Sequence, residues 1–183
     1  MATHSIPRLT EEEYLAIERA AEFKSEFLDG EMFAMAGASN RHGELQRNLI
    51  IEVHTRVRNR GRQAYGPDNR VRISERAYFY PDVSVYCGRP ETTGQKDLLV
   101  NPVVVFEVLS PSTEKYDRGL KFQHYRSIAS LTDYILVSQE EMRVEQFTRC
   151  PDGTWTFRDY QNPDEELKIE SLGVAIPLAQ IYA

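Results

Sequence analysis

The first half of the chain contains two stretches in which apolar residues recur with the period of an amphipathic helix. The stretch TEEEYLAIERAA predicts a helix with Thr10 as N-cap, because Glu13 three residues later completes a capping box. A second helix is predicted to begin near Ser39 or Asn40 and to end near Gly61. Its inward face carries an apolar residue at every fourth position, namely Leu45, Leu49, Val53 and Val57.

Shorter apolar runs, separated by glycine, proline and asparagine, predict strands. The stretch SEFLDGEMFAM predicts a hairpin that turns at Asp29 and Gly30, since Asp-Gly is a strong hairpin signal. The run VVVFEVLS, which starts at Val103, is the strongest strand prediction in the chain. Further strands are predicted at RQAYG, NRVRIS, AYFYPDVSVYC, TDYILVS, RVEQFTR and TWTFRDY, the last two as a hairpin across CPDG.

The remaining segments complete the predicted order of elements. PETTGQKDL is expected to be a loop, SPSTEKYDRGLKFQHYRSIA a loop leading into a helix capped by Ser112 or Thr113, and PLAQIYA a short final helix. This order of helix, hairpin, helix, strands, helix and strands predicts an α/β fold with a central mixed β-sheet flanked by helices. No repeat or linker interrupts the chain, so residues 1–183 are expected to form a single domain.

Composition limits the classes of protein to consider. A net charge of −6, 41% hydrophobic and 27% charged residues are ordinary for one globular domain. No apolar run approaches the ~20 residues that span a bilayer, and the N-terminus lacks the basic and apolar regions of a secretory signal. The two cysteines, Cys87 and Cys150, exclude a disulfide framework and a CxxC zinc site. A cytoplasmic protein is therefore expected.

The negative net charge argues against a protein whose main role is to coat nucleic acid, because phosphate binding needs a basic surface. One basic stretch, HTRVRNRGR, could still serve an enzyme that acts on nucleic acid. The favoured interpretation is the solvated cationic end of a helix, stabilised by the helix dipole. The arginines concerned are Arg56, Arg58, Arg60 and Arg62, followed by Arg70 and Arg72.

Two acidic residues occupy positions that the sequence predicts to be buried. Glu107 lies in the middle of the apolar run, and Asp82 follows Pro81 at the start of a strand. A buried carboxylate is unfavourable unless it is paired or bound to a metal. If the two strands are neighbours, Asp82 and Glu107 would meet on one face, where their repulsion favours a cation between them. Oxygen ligands of this kind suit Mg²⁺ or Mn²⁺.

Other catalytic motifs are absent from the sequence, including a glycine-rich phosphate loop, a dinucleotide-binding fingerprint, a nucleophile elbow and HExxH. The helix after the strongest strand instead has Asp117, Lys121 and Tyr125 spaced four apart, which places them on one face. A histidine-rich metal site is not expected, because no two of the four histidines form a helical pair: His4, His42, His54 and His124.

The segments EFLDGE, NRH, PDVSV, FEVLSPST, DRGLKFQHY, DYILV and IPLAQIY resemble, in this order, the Uma-type restriction endonuclease family of the PD-(D/E)XK nuclease superfamily. The resemblance covers nearly the whole chain and implies a restriction-endonuclease-like core. The superfamily signature has a lysine two residues after the second acid, where this chain has Leu109. In the Uma-type family that lysine is thought to have migrated, which makes Lys121 its replacement. The superfamily also implies DNA as substrate and a homodimer.

The resemblance implies a role for each matching residue. Asp82, Glu107 and the backbone carbonyl of Val108 would hold the metal. Lys121 would orient the attacking water or stabilise the charge that develops on the phosphate. The surrounding candidates are His42, which matches the family's histidine and would act behind the metal ligands or on a substrate phosphate, together with Glu26, Asp117 and Tyr125.

Each of these residues also has a structural interpretation. Glu107 would then pair with an arginine, as buried acids do in protein cores, and Asp82 would be a turn residue after proline. Lys121 would be a surface lysine of an amphipathic helix. His42 and Glu26 would be a helix-terminal histidine and an exposed strand residue.

The resulting hypothesis is a Mg²⁺-dependent endonuclease that hydrolyses phosphodiester bonds in DNA. The alternative is a non-catalytic nucleic-acid-binding or regulatory module that keeps the fold, which Leu109 and the acidic net charge favour. A third interpretation is a purely structural α/β protein whose acids pair with arginines. The sequence leaves the target site, and a preference for DNA over RNA, open.

Overall fold

A computed structural model of the chain describes residues 8–35, 37–93 and 97–183. Three parts of the sequence discussed above lie wholly or partly outside the described residues. They are His4, the first residues of the N-terminal segment and the middle of the predicted loop PETTGQKDL. Within them, no helix combines the length and the apolar character that crossing a membrane requires. The helices are α1 (Glu11–Ala20), α2 (Asn40–Val57), α3 (Glu114–Tyr116), α4 (Phe122–Tyr125) and α5 (Leu178–Ile181), with a 3₁₀ turn at Arg58–Arg60 and a π-helical turn at Asp117–Lys121.

The predicted α/β class with mixed β-structure flanked by helices is confirmed, although the described strands form two mixed sheets and a separate hairpin where one sheet was expected. The first sheet has the order β2-β1-β5-β4-β7, the second has the order β11-β10-β9-β8-β6-β3, and β12 pairs with β13. The strands are β1 (Ser25–Leu28), β2 (Glu31–Ala34), β3 (Arg62–Tyr65), β4 (Arg70–Ser74), β5 (Ala77–Phe79), β6 (Val83–Cys87), β7 (Leu98–Leu99), β8 (Val104–Leu109), β9 (Asp133–Ser138), β10 (Val144–Arg149), β11 (Trp155–Tyr160), β12 (Glu166–Ile169) and β13 (Val174–Pro177).

Strand β8 lies inside the six-stranded sheet, between β6 and β9. All six of its residues are buried, which explains its nearly unbroken apolar sequence. It runs parallel to β9, because the chain crosses between them through the helical segment that contains α3 and α4. It runs antiparallel to β6, with Val83 opposite Phe106. Asp82, the residue directly before β6, therefore lies next to Glu107 on β8.

The two faces of this sheet are covered by different layers. On one face, the buried stripe of α2 packs in a cluster with Val85, Phe106 and residues of the C-terminal hairpin. On the other face, Val105 and Leu109 pack in a cluster with the five-stranded sheet and the segment around α4. Strand residues alternate between faces, so Glu107 points towards this second layer together with Val105 and Leu109.

Most local predictions are confirmed. Thr10 and Glu13 form the capping box of α1, and Ser39 caps α2 through the amide of His42. The β1–β2 turn has positive φ at Asp29 (50°) and Gly30 (90°), which accounts for Asp-Gly there.

Other local predictions need correction. Thr113 precedes α3, yet its side chain makes no capping hydrogen bond. The hydroxyl of Ser110 accepts from the Thr113 amide instead. The strands β7, β12 and β13 were not predicted, and Leu98 at the end of the predicted loop belongs to β7.

Three arginines of the arginine-rich stretch at the end of α2 contact the C-terminal hairpin, whereas Arg58 is exposed, as expected for a solvated helix end. Arg56, Arg60 and Arg62 donate to the backbone carbonyls of Ala175, Gly173 and Ser171, respectively. These contacts fasten the C-terminal hairpin to the end of α2. The guanidinium groups are therefore occupied by a structural task, since charged donors to backbone carbonyls are strong hydrogen bonds.

Candidate active site

A buried lysine lies at the centre of a cluster of acidic side chains, which we call the Lys121 cluster: Lys121, Glu26, Glu107 and Asp117. The Nζ atom of Lys121 lies 3.0 Å from Glu26 Oε1, 3.0 Å from Glu107 Oε1 and 3.6 Å from Asp117 Oδ1. All four residues are buried. The ion pair that was predicted to accompany a buried Glu107 is thus made by a lysine, whereas the structural interpretation had named an arginine.

Three separate elements deliver the cluster. Glu26 comes from β1, and the amide of Tyr80 donates to its Oε1 atom over 3.1 Å. Glu107 comes from the buried strand β8. Asp117 and Lys121 come from the π-helical turn, and the hydroxyl of Tyr134 donates to the backbone carbonyl of Asp117. Irregular helical turns of this type occur frequently at functional sites.

The charges in this cluster do not balance. One ammonium group faces three carboxylates, so the fully ionised cluster carries a surplus of negative charge. Burial raises the pKa of the Glu107 carboxyl well above its usual value, and the Lys121 ammonium offsets this only in part. Burial alone would lower the pKa of Lys121, but the carboxylates outweigh it and raise that pKa. The lysine therefore stays charged, and the cluster can take up either a proton or a further cation.

Asp82 is held in a second group of contacts directly beside this cluster. Its Oδ2 atom accepts from the amide of Val108 over 2.7 Å, and Val108 immediately follows Glu107. Its Oδ1 atom lies 3.0 Å from Nε2 of His42 and also accepts from Nε2 of Gln46. The hydrogen bond with Asp82 raises the pKa of His42, although burial acts in the opposite direction.

The structure therefore brings the predicted residues together in two adjoining groups. Glu107, Lys121, Glu26 and Asp117 form one, and Asp82 with His42 forms the other. Tyr125 is fully buried, and its hydroxyl has no hydrogen-bond partner in the described part of the chain. The metal-binding role of the Val108 carbonyl stays a prediction.

Gln46 was missed by the sequence argument. It lies four residues after His42, on the same face of α2. That spacing, combined with the match of His42 to the family, was the available signal. The two side chains together hold the same oxygen of Asp82.

The donor set fits a divalent cation in chemistry and charge. Among residues 8–35, 37–93 and 97–183, no three Asp, Glu, His or Cys side chains converge as a ready metal site. However, Glu107 Oε1 is buried and makes no hydrogen bond despite its proximity to Lys121. Buried carboxylate oxygens in surplus over cations are the ligands that Mg²⁺ and Mn²⁺ prefer.

Comparison with known proteins identifies the family and the fold of the chain. The model of the Uma2 family, described as "Putative restriction endonuclease", matches residues 11–179. Two proteins of Synechocystis sp. are similar: "Uncharacterized protein slr1290" is 34% identical, covering 100% of this chain and 97% of its own, and "Uncharacterized protein sll1609" is 35% identical, covering 91% and 95%. The crystal structure of a "putative nuclease belonging to DUF820" from Anabaena variabilis has the same fold, with a TM-score of 0.79 at 18% identity, covering 95% of this chain and 97% of that chain.

Proposed function

The chain belongs to the Uma2 family, whose description as restriction endonucleases supports a nuclease-like function, and we propose that it is a divalent-metal-dependent endonuclease that hydrolyses phosphodiester bonds in DNA. The observation that carries this proposal is the Lys121 cluster, in which three buried carboxylates share one ammonium group beside Asp82. An acidic surplus of this kind is unfavourable in a protein interior unless a cation completes it.

Asp82, Glu107 and the backbone carbonyl of Val108 are the residues that would hold the metal. Nucleases of the restriction-endonuclease type generally use divalent metals, and the oxygen ligands favour Mg²⁺, with Mn²⁺ as a substitute. When bound, such an ion lowers the pKa of a coordinated water and neutralises charge on the phosphate. The Oε1 atom of Glu107 faces the Lys121 ammonium at 3.0 Å, so a metal bound there would share this oxygen with the lysine.

Lys121 supplies the positive charge that the reaction requires. Its ammonium group stays protonated because three carboxylates surround it. Glu26 and Asp117 hold that group beside Glu107, where it can orient a water or stabilise negative charge that develops on the phosphate. This assigns to Lys121 the work of the lysine that the superfamily signature places at the position of Leu109.

His42 and Gln46 position Asp82. Both contact Oδ1 of its carboxylate, while the amide of Val108 fixes Oδ2. Groups that orient a metal ligand from behind set its direction and basicity. His42 is part of α2, so the rigid helix transmits its position to the metal ligand.

A non-catalytic nucleic-acid-binding or regulatory module is the second candidate. It is favoured by the position of Lys121, whose ammonium group already occupies the space between the acids. In such a module the lysine would serve as a permanent counter-ion, and no metal would enter. The homodimer that the resemblance implies would be compatible with either function, and sedimentation would establish it.

Cleavage of supercoiled plasmid separates the two functions. Wild-type protein is expected to nick the plasmid with Mg²⁺ or Mn²⁺ and to stop when the metal is chelated. Asp82→Asn keeps the shape of the side chain but removes its charge, and it is expected to abolish nicking while thermal unfolding stays cooperative. A folded wild-type protein that cuts with neither metal would favour the second candidate. Cutting that survives in Asp82→Asn would remove Asp82 from the metal site.

A further inference from the structure

An aromatic ring is exposed next to the Lys121 cluster. Phe33 keeps 44% of its surface exposed, and it lies on β2, the edge strand of the five-stranded sheet. An isolated exposed phenylalanine needs no explanation by itself. The position of this one relative to the buried acids distinguishes it.

The strand register places Phe33 beside the site. Phe33 is the direct cross-strand partner of Glu26 in the antiparallel pair β1–β2. Side chains of such partners point to the same face, with Cβ atoms about 5 Å apart. The Glu26 carboxylate in turn lies 3.0 Å from Nζ of Lys121. Phe33 is thus one residue removed from Lys121.

Phe33 has an aromatic neighbour and remains partly exposed. The Tyr116 ring lies 6.4 Å from it, with the two ring planes inclined by 36°. Tyr116 packs edge-on against Phe79, and Phe79 lies under Nζ of Lys121 at 5.7 Å. A continuous aromatic row therefore runs from the lysine to the exposed ring.

We propose that Phe33 stacks on an unpaired nucleobase next to the phosphate that is cut, so that the substrate class is nucleic acid with unpaired bases at the cleavage point. This inference rests on the proposed nuclease function. Aromatic side chains bind unpaired bases without regard to sequence, because every base presents a π-face. A paired base in a duplex presents no free face to the ring.

The depth of the acids also favours an unpaired substrate. Asp82 and Glu107 are buried, with exposed fractions of 9% and 3%. A nucleotide that has left the base stack reaches a recessed site more readily than one held in a duplex.

The chain offers a matched control for this ring. Phe157 is 53% exposed and lies on β11, which is the edge strand of the other sheet. Its ring contacts Phe147, its cross-strand partner, and belongs to neither group of the candidate site. Removing either phenylalanine deletes a similar exposed apolar surface, but only Phe33 adjoins the acids.

The experiment is a fluorescence anisotropy titration of the full chain without divalent metal, so that cleavage does not interfere. The probes are a short labelled oligothymidylate and a blunt duplex of the same length. Phe33→Ala is expected to weaken oligothymidylate binding about 5- to 150-fold, the range for one lost base–aromatic stack. Phe33→Leu should lose as much, Phe33→Trp should retain or gain affinity, and Phe157→Ala should bind like wild type. Duplex affinity should change little in any variant.

Several results would overturn the inference while leaving the proposed function intact. These are wild-type oligothymidylate affinity in Phe33→Ala or Phe33→Leu, an equal loss in Phe157→Ala, or an equal loss on the duplex. A change of oligomeric state in Phe33→Ala with unaltered affinity would assign the ring to a contact between two copies of the chain. Wild-type protein that binds neither probe would count against the proposed function itself, and against this inference with it.

Discussion

Two buried carboxylates on neighbouring parallel strands have opposite surroundings. Asp133 on β9 accepts hydrogen bonds from Gln146, Thr148 and Ser171 at 2.7–2.9 Å, all of them neutral donors. Glu107 on β8 instead faces a charged group, the Lys121 ammonium, which it shares with two other acids. A structural carboxylate has its oxygens satisfied by neutral hydrogen-bond donors. An acid that shares one cation with other acids can instead accept a ligand of positive charge.

The difference lies in what each acid connects. The donors to Asp133 come from β10 and from the turn before β13, so its carboxylate ties the sheet to the C-terminal hairpin. The partners of Glu107 come from β1 and from the π-helical turn, and they gather charge at one point. Burial alone therefore does not identify a functional acid, and the balance of donors around it does.

Removing the ammonium group of Lys121 should have the largest effect on the surroundings of Glu107. Lys121→Met is expected to lower the rate of plasmid cleavage about 10²- to 10³-fold, the usual cost of losing a group that stabilises charge in the transition state. The affinity for Mn²⁺, measured by calorimetry, should stay equal or increase, because the acids lose their resident counter-ion. Cleavage at the wild-type rate in a folded Lys121→Met protein would remove Lys121 from the mechanism.

Substituting the structural acid should affect stability and leave the metal response alone. In Asp133→Asn, the amide nitrogen would face groups that donate hydrogen bonds and could accept none of them. The substitution is therefore expected to lower the free energy of unfolding by about 3 kcal/mol. Denaturant melts with and without Mn²⁺ should show the same loss. A selective loss of the Mn²⁺ response in Asp133→Asn would erase the distinction between the two acids.

Gln46 tests whether the candidate site includes the α2 residues that contact Asp82. Gln46→Met keeps the length of the side chain but removes the donor to Asp82, and it is expected to weaken Mn²⁺ binding about 10- to 100-fold. Asn48→Ala is the matched control, because its amide donates on the same helix to the carbonyls of Ile181 and Ala183. Equal Mn²⁺ affinities in wild type and Gln46→Met would show that Gln46 has no influence on metal binding.

The pH dependence of stability tests the surroundings of Glu107 without any metal. Because the folded state raises the pKa of Glu107, it binds more protons than the unfolded state above the carboxyl's usual pKa. The stabilising contribution of the protonated form is complete below that value and is lost as pH rises through the folded pKa. In the absence of metal, the free energy of unfolding of wild type should therefore fall relative to that of Glu107→Gln as pH rises through this window. The expected slope is up to about 1.4 kcal/mol per pH unit. Parallel stability profiles from about pH 5 to about pH 8 would contradict the shift.

The sequence pointed to the elements and the acids because those depend on local patterns. An acid within an apolar run marked Glu107, and the four-residue spacing marked Asp117 with Lys121. The contact between Glu26 and Lys121 joins β1 to a helical segment far along the chain, and no local pattern encodes it. The division into two sheets likewise depends on long-range pairing, as in the parallel contact of β4 with β7.

The errors have a common physical origin. The carbonyl contacts of Arg56, Arg60 and Arg62 were not predicted, because their partners on the C-terminal hairpin are distant in sequence. That hairpin, formed by β12 and β13, was itself missed. Both errors concern surfaces that only tertiary contacts define.

Thermal unfolding of wild type and Glu107→Gln in a titration with Mg²⁺ tests the central claim most directly. The account predicts a saturable stabilisation of wild type, about 2.7 kcal/mol at a hundred times the dissociation constant, and its loss in Glu107→Gln. An equal stabilisation of both proteins would place the metal away from Glu107. No stabilisation of the folded wild type with either Mg²⁺ or Mn²⁺ would mean that the acids around Lys121 need no cation beyond the lysine.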